Sequence, residues 1–365
     1  MKKSIMIIVA VMLMIGSLSA CSNAQNTNEK SGTINGNSKD KNDRIKIVTT
    51  IFPEYDWVRT IMGQKADEAD LTMLLDNGVD LHSYQPSIDD ILKISTCDLF
   101  VYVGGESDSW VKDALNQATN KNMEVINLLE VLGDKVKNEE IVEGMEHEHE
   151  HGKDDHDEDH DHDEDEDHDH DEDEDHEHDD HDHEHEEEVD EHVWLSLNNT
   201  ITICDEITER IKKIDPSGSD IYQANVNTYK EKLLDLDAQY KLAVAEANVK
   251  TLLFGDRFPF RYLTDDYGLK YFAAFTGCSA ETEASFETII FLAGKVNELG
   301  LKTILTIESS DGKIAETIKS NTNTKDQKIL VLNSMQGITS SDIKNGKSYL
   351  SVMTENLNTL KEALK

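Results

Sequence analysis

The sequence predicts an α/β protein of two lobes, each with a four-stranded, mainly parallel sheet flanked by helices, joined by one long rigid helix. Three features carry that expectation. Short β-rich runs alternate with helical stretches, the alternation occurs twice, and a single long amphipathic seam lies between the two series. Strands separated by helices pair in parallel, because the crossover helix returns the chain to the same end of the sheet.

The N-terminus comes first. Lys2 and Lys3 precede an unbroken apolar run over residues 5–15, followed by small residues. That run covers about 16 Å of helix, roughly half a bilayer core, so residues 1–20 read as a secretory signal and not a membrane span. Leu18-Ser19-Ala20-Cys21 looks like a lipoprotein box, in which Cys21 is lipidated and becomes the mature N-terminus. Residues 21–43 then form a tether rich in Ser, Asn, Lys and Gly, with a reach of roughly 25 Å. The folded part is expected outside the cytoplasm, anchored to the cell membrane by its N-terminal lipid.

The first lobe is expected over residues 44–214, with strands at 45–50, 71–75, 99–103 and 124–127. Ser87-Ile88-Asp89-Asp90 opens a helix there with capping-box spacing, a hydroxyl reaching forward and a carboxylate reaching back. Within this lobe, residues 138–188 form an acidic, His-rich loop with little to bury and strong self-repulsion, and are expected to be disordered. Residues 215–249 carry the long helix. Tyr222, Val226, Tyr229, Leu233, Leu236, Tyr240, Ala243 and Ala247 recur at alternating steps of four and three. That is one continuous face, with Asp215 as cap and Pro216 in the first position. About 30 residues at 1.5 Å each give ~45 Å, enough to run down the whole molecule. The second lobe, residues 250–365, repeats the alternation with strands at 251–255, 270–275, 303–307 and 329–332, and helices such as 285–299 and 312–320.

The formal net charge of −40 is a local property. Residues 146–191 hold 30 acidic side chains and one lysine, a net of −29, which leaves −11 for the rest. No basic stripe exists to neutralise phosphates, so nucleic acid is not expected as a partner. Besides Cys21 the cysteines are Cys97, Cys204 and Cys278. Three thiols cannot all pair within the chain, and no C-x-x-C spacing points to a zinc–thiolate cluster. One disulfide or none is open.

Thirteen of the 15 histidines lie between His147 and His185, which leaves His82 and His192. The tract alternates imidazole with carboxylate on a chain without preorganisation, so it should hold several Zn, Cu or Ni ions loosely. His82 lies in Gly78-Val79-Asp80-Leu81-His82-Ser83-Tyr84-Gln85-Pro86-Ser87. This loop follows a strand and enters a capped helix, the carboxyl edge where open α/β sheets hold ligands. His192 is followed by Val193-Trp194-Leu195-Ser196, an apolar anchor that would fix its ring. Two fixed imidazoles, one on each side of the tract, form the nucleus of a site in the cleft.

The lipobox, "LHSYQPS", the acidic His-rich loop, "DEHVWLS" and the long central helix together resemble the zinc/manganese solute-binding lipoproteins of metal ABC transporters. The resemblance covers essentially the whole chain after Cys21. It implies a metal held in the cleft between two lobes, His82 and His192 as its first two ligands, and docking on an ABC transporter permease. The family's third ligand, His or Glu, follows the first strand of the second lobe. Here residues 253–263 contain no histidine, and Arg257 falls near the expected place. The usual fourth ligand, a carboxylate after the last strand, is replaced by Asn333. Asp256 is the substitute third ligand, with pairing to Arg257 as its competing role, and Glu308 is a further candidate. Glu281 and Glu283 are expected to cap the next helix and line the cleft. Two nitrogens with one or two oxygens suit four-coordinate Zn²⁺, whereas more oxygens would favour Mn²⁺; the His-rich tract tips the expectation to zinc, with manganese as the alternative.

The expected protein is therefore a non-enzymatic, membrane-tethered monomer that binds zinc and delivers it to an ABC-type importer. Two other classes compete. One is an extracellular metal buffer or adhesion lipoprotein without a transporter. The other is a zinc hydrolase, in which two His and a carboxylate leave room for an activated water, although no H-E-x-x-H pairing is present.

Overall fold

The computed structural model describes residues 44–145, 188–279 and 283–365. The signal segment, Cys21, the tether, all thirteen tract histidines and Glu281 lie outside the described residues. Strands β1 (Lys46–Thr49), β2 (Asp70–Met73), β3 (Leu99–Tyr102) and β4 (Glu124–Asn127) form one sheet in the order β2-β1-β3-β4. Strands β5 (Thr251–Phe258), β6 (Lys270–Thr276), β7 (Thr303–Thr306) and β8 (Lys328–Val331) form a second, in the order β6-β5-β7-β8. Every pairing in both sheets is parallel. Such strands are covered on both faces and so read as apolar runs; Leu99, Phe100 and Val101 are all fully buried.

The helices are α1 (Phe52–Met62), α2 (Ile88–Thr96), α3 (Val111–Asn116), α4 (Leu128–Leu132), α5 (Leu197–Ile214) and α6 (Ser219–Ala245) in the first part. They continue as α7 (Arg261–Tyr267), α8 (Phe286–Leu299), α9 (Lys313–Ser320), α10 (Ser340–Lys344) and α11 (Tyr349–Ala363). The capping box at α2 forms as its spacing requires: Ser87 Oγ accepts from the Asp90 amide at 3.2 Å, and Asp90 accepts from the Ser87 amide at 3.0 Å. Ser285, and not Glu283, caps α8.

The long helix α6 starts later than expected. Asp215 caps a separate 3₁₀ turn, Pro216–Gly218, where it accepts from the Ser217 amide at 3.2 Å. The helix proper has 27 residues, about 40 Å. Its buried face follows the seam from Tyr222 to Tyr240 and then shifts to Val244, leaving Ala243 and Ala247 only half-buried. A four-three repeat averages 3.5 residues per turn and drifts against a straight helix of 3.6; Val244 lies five full turns beyond Val226. Both ends of α6 are fastened. Asn225 donates to the Ile61 carbonyl at 2.9 Å in the first lobe, and the Tyr240 hydroxyl donates to the Met353 carbonyl at 2.6 Å on α11. One continuous apolar core, including Trp57, Trp194, Tyr222, Phe254 and Tyr349, runs through both lobes and across α5, α6 and α11. The lobes are thus welded along the helical layer. A smaller core lies between the second sheet and helices α8 and α9.

The loop expected to be disordered over residues 138–188 is ordered at both ends. Asn138 and Val189 form an antiparallel bridge, the Glu139 amide donates to the Glu188 carbonyl at 2.7 Å, and Asp190 N reaches the Lys137 carbonyl at 2.9 Å. This stem docks on the second lobe. Tyr262 donates to the Asp190 carbonyl at 2.9 Å, Lys137 pairs with Asp265 at 2.8 Å, and Arg261 pairs with Glu140. The mixed composition of residues 137–145, with Val142 and a buried Met145, supplies the contacts that the acidic tract lacks.

Candidate metal centre

His82 sits in the tight turn Leu81–Ser83, beyond the carboxyl end of β2. Asp80 caps that turn, with Oδ1 accepting from the His82 amide at 3.1 Å. Its other oxygen meets Arg257 Nη2 at 2.6 Å, an ion pair between the lobes. Burial alone would raise the Asp80 carboxyl, but the Arg257 guanidinium, with His82, outweighs it and holds the group below its ordinary range. The His82 ring is anchored through Nδ1, which lies 2.8 Å from Ser107 Oγ and 3.6 Å from Glu191 Oε2. Gly105 makes room for that carboxylate, since a Cβ there would fall 2.7 Å from Glu191 Cδ, and its φ of +83° suits glycine.

His192 is completely buried and precedes a turn, Val193–Leu195, with no exposure at all. Trp194 Nε1 donates to the Ser334 carbonyl at 2.8 Å and the Tyr349 hydroxyl donates to the Trp194 carbonyl at 2.7 Å, so the anchor is bonded as well as apolar. Asp190 Oδ1 accepts from both the His192 amide (2.9 Å) and ring Nδ1 (3.0 Å). A carboxylate on Nδ1 fixes the tautomer whose Nε2 presents a bare lone pair.

The two Nε2 atoms face one another at 3.2 Å. Two nitrogens sharing one tetrahedral ion at 2.0–2.1 Å would stand about 3.3 Å apart, so the spacing fits a common zinc. The rings differ in proton affinity. Burial first, then the neighbouring His192 and Arg257 charges, push His82 down to about 3, with Asp80 opposing. Burial also pushes His192 down, but Asp190, Glu191 and Glu139 together outweigh it and leave it above the usual histidine range.

A third donor stands beside the pair, and it is Cys278. One donor atom from each of His82, His192 and Cys278 lies within 4.8 Å of the others, and no other such group of three occurs among the described residues. The thiol follows the end of β6, and its amide donates to Glu139 Oε1 at 2.8 Å on the stem. Burial raises it strongly, with Glu139, Asp190 and Glu191 adding, so without a cation it is a neutral thiol. Gln336 borders the same space: its Nε2 is 3.3 Å from His192 Nε2 and its Oε1 is buried without a partner.

Asp256 does not join the pair. Its carboxylate accepts from the Arg257 amide at 2.9 Å and the Ile307 amide at 3.3 Å, which ties β5 to the end of β7. Its expected rival role also fails, because the Arg257 side chain goes instead to Asp80 and to the Ser279 carbonyl at 3.2 Å. Glu308 is occupied by the Ser334 amide (2.7 Å), Ser334 hydroxyl (2.9 Å) and Gly337 amide (3.1 Å). Asn333 accepts from the Met335 amide at 2.8 Å. Cys278 escapes a reading by spacing, since the three donors come from distant segments; the signal available was its place just past a strand end. The cysteines Cys97, Cys204 and Cys278 are all free.

Two parallel α/β lobes welded by one long helix, with facing imidazoles at their junction, define the class of helix-linked solute-binding proteins. Within that class the chain belongs to the family described as zinc-uptake complex component A, periplasmic (ZnuA), whose sequence model matches residues 47–363. It is 30% identical over 329 residues to the high-affinity zinc uptake system protein ZnuA of Bacillus subtilis, covering 90% of each chain. It is also 30% identical over 324 residues to the zinc-binding protein AdcA of Streptococcus pyogenes, covering 87% of this chain and 56% of that one. The chain therefore spans about half the length of the AdcA relatives. Among solved structures it is similar to the Zn(II)-bound ZnuA-like domain of Streptococcus pneumoniae AdcA, with a TM-score of 0.62 and 26% identity over 88% of this chain and 99% of that one. The metal-dependent lipoprotein YcdH of Bacillus subtilis gives a TM-score of 0.65 at 26% identity, with the same coverage.

Proposed function

We propose that this chain is a zinc receptor that works outside the cytoplasm. It takes up the ion between its lobes on His82 and His192 and delivers it to the permease of an ABC-type importer, while a lipid on Cys21 keeps it at the membrane. The observation that carries this reading is the pair of Nε2 atoms facing at 3.2 Å, each ring held through its other nitrogen. Zinc-binding relatives across most of the chain support the choice of ion. The stem adds a role for the tract. Its ends meet at the Asn138–Val189 bridge, and Glu139 touches Cys278, so ions held loosely on the tract are collected at the mouth of the site. The rest of the site argues for capture and not catalysis: the carboxylates offered as further ligands, Asp256 and Glu308, are bound to backbone amides and leave no free general base there.

The reading is tested by zinc titration against a competing chelator, with residues 146–187 replaced by a short Gly-Ser linker. One tight site should remain, and His192→Ala should abolish it. Retention of that site in both His192→Ala and His82→Ala would refute the receptor.

A further inference from the structure

Two imidazoles alone leave zinc short of donors, since its protein sites are usually four-coordinate. We propose that Cys278 is the third protein ligand, its Sγ completing a set of two nitrogens and one sulfur with His82 and His192. This rests on the zinc-receptor reading and specifies its selectivity: a thiolate favours zinc and other thiophilic ions over manganese.

Four observations converge on this thiol. Its Sγ belongs to the one group of three donors, within 4.8 Å of each other, found among the described residues. The loop that carries it is pressed against the other ligand. A Cβ at Gly277 would lie 3.0 Å from His192 Cε1 and 3.2 Å from Nδ1, and only 2.9 Å from the Phe258 carbonyl oxygen behind it, so glycine lets the backbone run this close to the ring. The loop is fixed at Cys278 itself by the amide bond to Glu139. Finally, the two lobes are built alike. His82 follows β2 and Cys278 follows β6, and these strands hold the same position in sheets of order β2-β1-β3-β4 and β6-β5-β7-β8.

The other cysteines do not compete. Cys97 is fully buried with its Sγ 3.3 Å from Met123 Sδ, and Cys204 is enclosed within α5. Nor do the oxygens of the second lobe, since Asp256 and Glu308 are engaged elsewhere. On binding, the sulfur donates a lone pair to the ion and its proton leaves to solvent. Two neutral imidazoles and one thiolate leave the site with one net positive charge, and Asp190 and Glu191 stand directly behind the rings to balance it.

The full chain loaded with Co²⁺ in place of zinc provides the test. Thiolate ligation gives a near-ultraviolet sulfur-to-cobalt charge-transfer band, which the sulfur-free His tract cannot produce. The band should be present in the parent and in Cys21→Ser, and absent in Cys278→Ser. Zinc affinity in Cys278→Ser should fall by ~100-fold or more, beyond the upper range for losing an outer-shell partner, while manganese affinity changes far less. A second readout needs no variant: zinc should protect Cys278 of the parent chain from alkylation, read by peptide mass mapping. A parent chain without the band, a band that survives Cys278→Ser, or alkylation unaffected by zinc overturns the proposal. If His192→Ala abolishes tight zinc binding while zinc leaves Cys278 alkylation unchanged, the receptor stands and the thiolate falls. If the parent binds no zinc tightly, the receptor reading itself falls.

Discussion

The two lobes share a strand order and differ in what they bring to their junction. The wall of the first lobe is acidic and incompletely bonded: Glu54 Oε1, Asp108 Oδ1 and Glu191 Oε2 are buried with no hydrogen-bond partner. Burial raises all three carboxyls, with Asp108 adding to the rise of Glu54 and Glu191 adding to that of Asp108. The second lobe offers a guanidinium, a thiol and a carboxamide in Arg257, Cys278 and Gln336. Unpaired buried carboxylates are costly, and a cation arriving nearby offsets that cost. One lobe therefore buries acids that its own hydrogen bonds do not satisfy, while the other supplies a cation, a neutral amide and a thiol that turns anionic only on meeting the ion.

The sharpest way to break this comparison is to exchange the supports of the two imidazoles. His192 leans on a carboxylate, whereas His82 leans on the Ser107 hydroxyl. Removing a partner that orients a metal-bound histidine typically costs ~10–100-fold in affinity. Asp190→Ala should fall in the upper part of that range for zinc, and Ser107→Ala in the lower part, because a neutral hydroxyl polarises the ring less. Chelator-competition titrations of the two variants rank them; equal losses, or a larger loss for Ser107→Ala, would mean that the acid does not tune His192.

The same contrast marks what the sequence makes legible. Buried parallel strands are nearly continuous apolar runs, so all eight are visible within a few residues. The exception in length is β5, which runs on to Phe258 through Asp256 and Arg257. A register shift between Phe254 and Arg257 lets the charged pair leave the core while the Phe258 ring stacks at 3.5 Å on Tyr271. Polar residues there look like a strand end and are a bulge. His82 and His192 are visible because every other histidine is confined to the tract. Cys278 is not, because its meaning depends on three chain segments meeting in space. Asp256 fails for the opposite reason: an acid near the right strand end looks available, and only the fold reveals the two amides that claim it.

The Arg257–Asp80 pair tests how the lobes are held together across the site. Both side chains are less than a fifth exposed, at 16% and 19%, so breaking the pair strands a partly buried charge. Arg257→Ala should destabilise the metal-free chain by about 1–2 kcal/mol and lower its melting temperature by a few degrees. Adding Asp80→Asn should recover part of the loss, because no uncompensated carboxylate then remains. A double-mutant cycle in thermal melts gives the coupling directly. A coupling indistinguishable from zero would show that the pair adds nothing to the shared helical core and the docked stem in holding the lobes together.

The smallest effect probes the acidic wall by pH. Asp108 is raised to about 7, by burial first and Glu191 next, against the hydrogen bond from the Gly104 amide. Its unfolded value is near 3.9. Between about pH 4 and 7 the folded state then binds the extra proton, so stability falls as pH rises through that window. The metal-free chain should gain stability from this group on acidification from pH 8 to 5.5. Asp108→Asn removes the proton and keeps an acceptor for the Gly104 amide. It should melt a degree or two higher than the parent at pH 8, with the difference shrinking toward pH 5.5. Melting curves of parent and variant that run parallel across this range would remove Asp108 from the strained acids of the first lobe and leave the contrast between the lobes to Glu54 and Glu191.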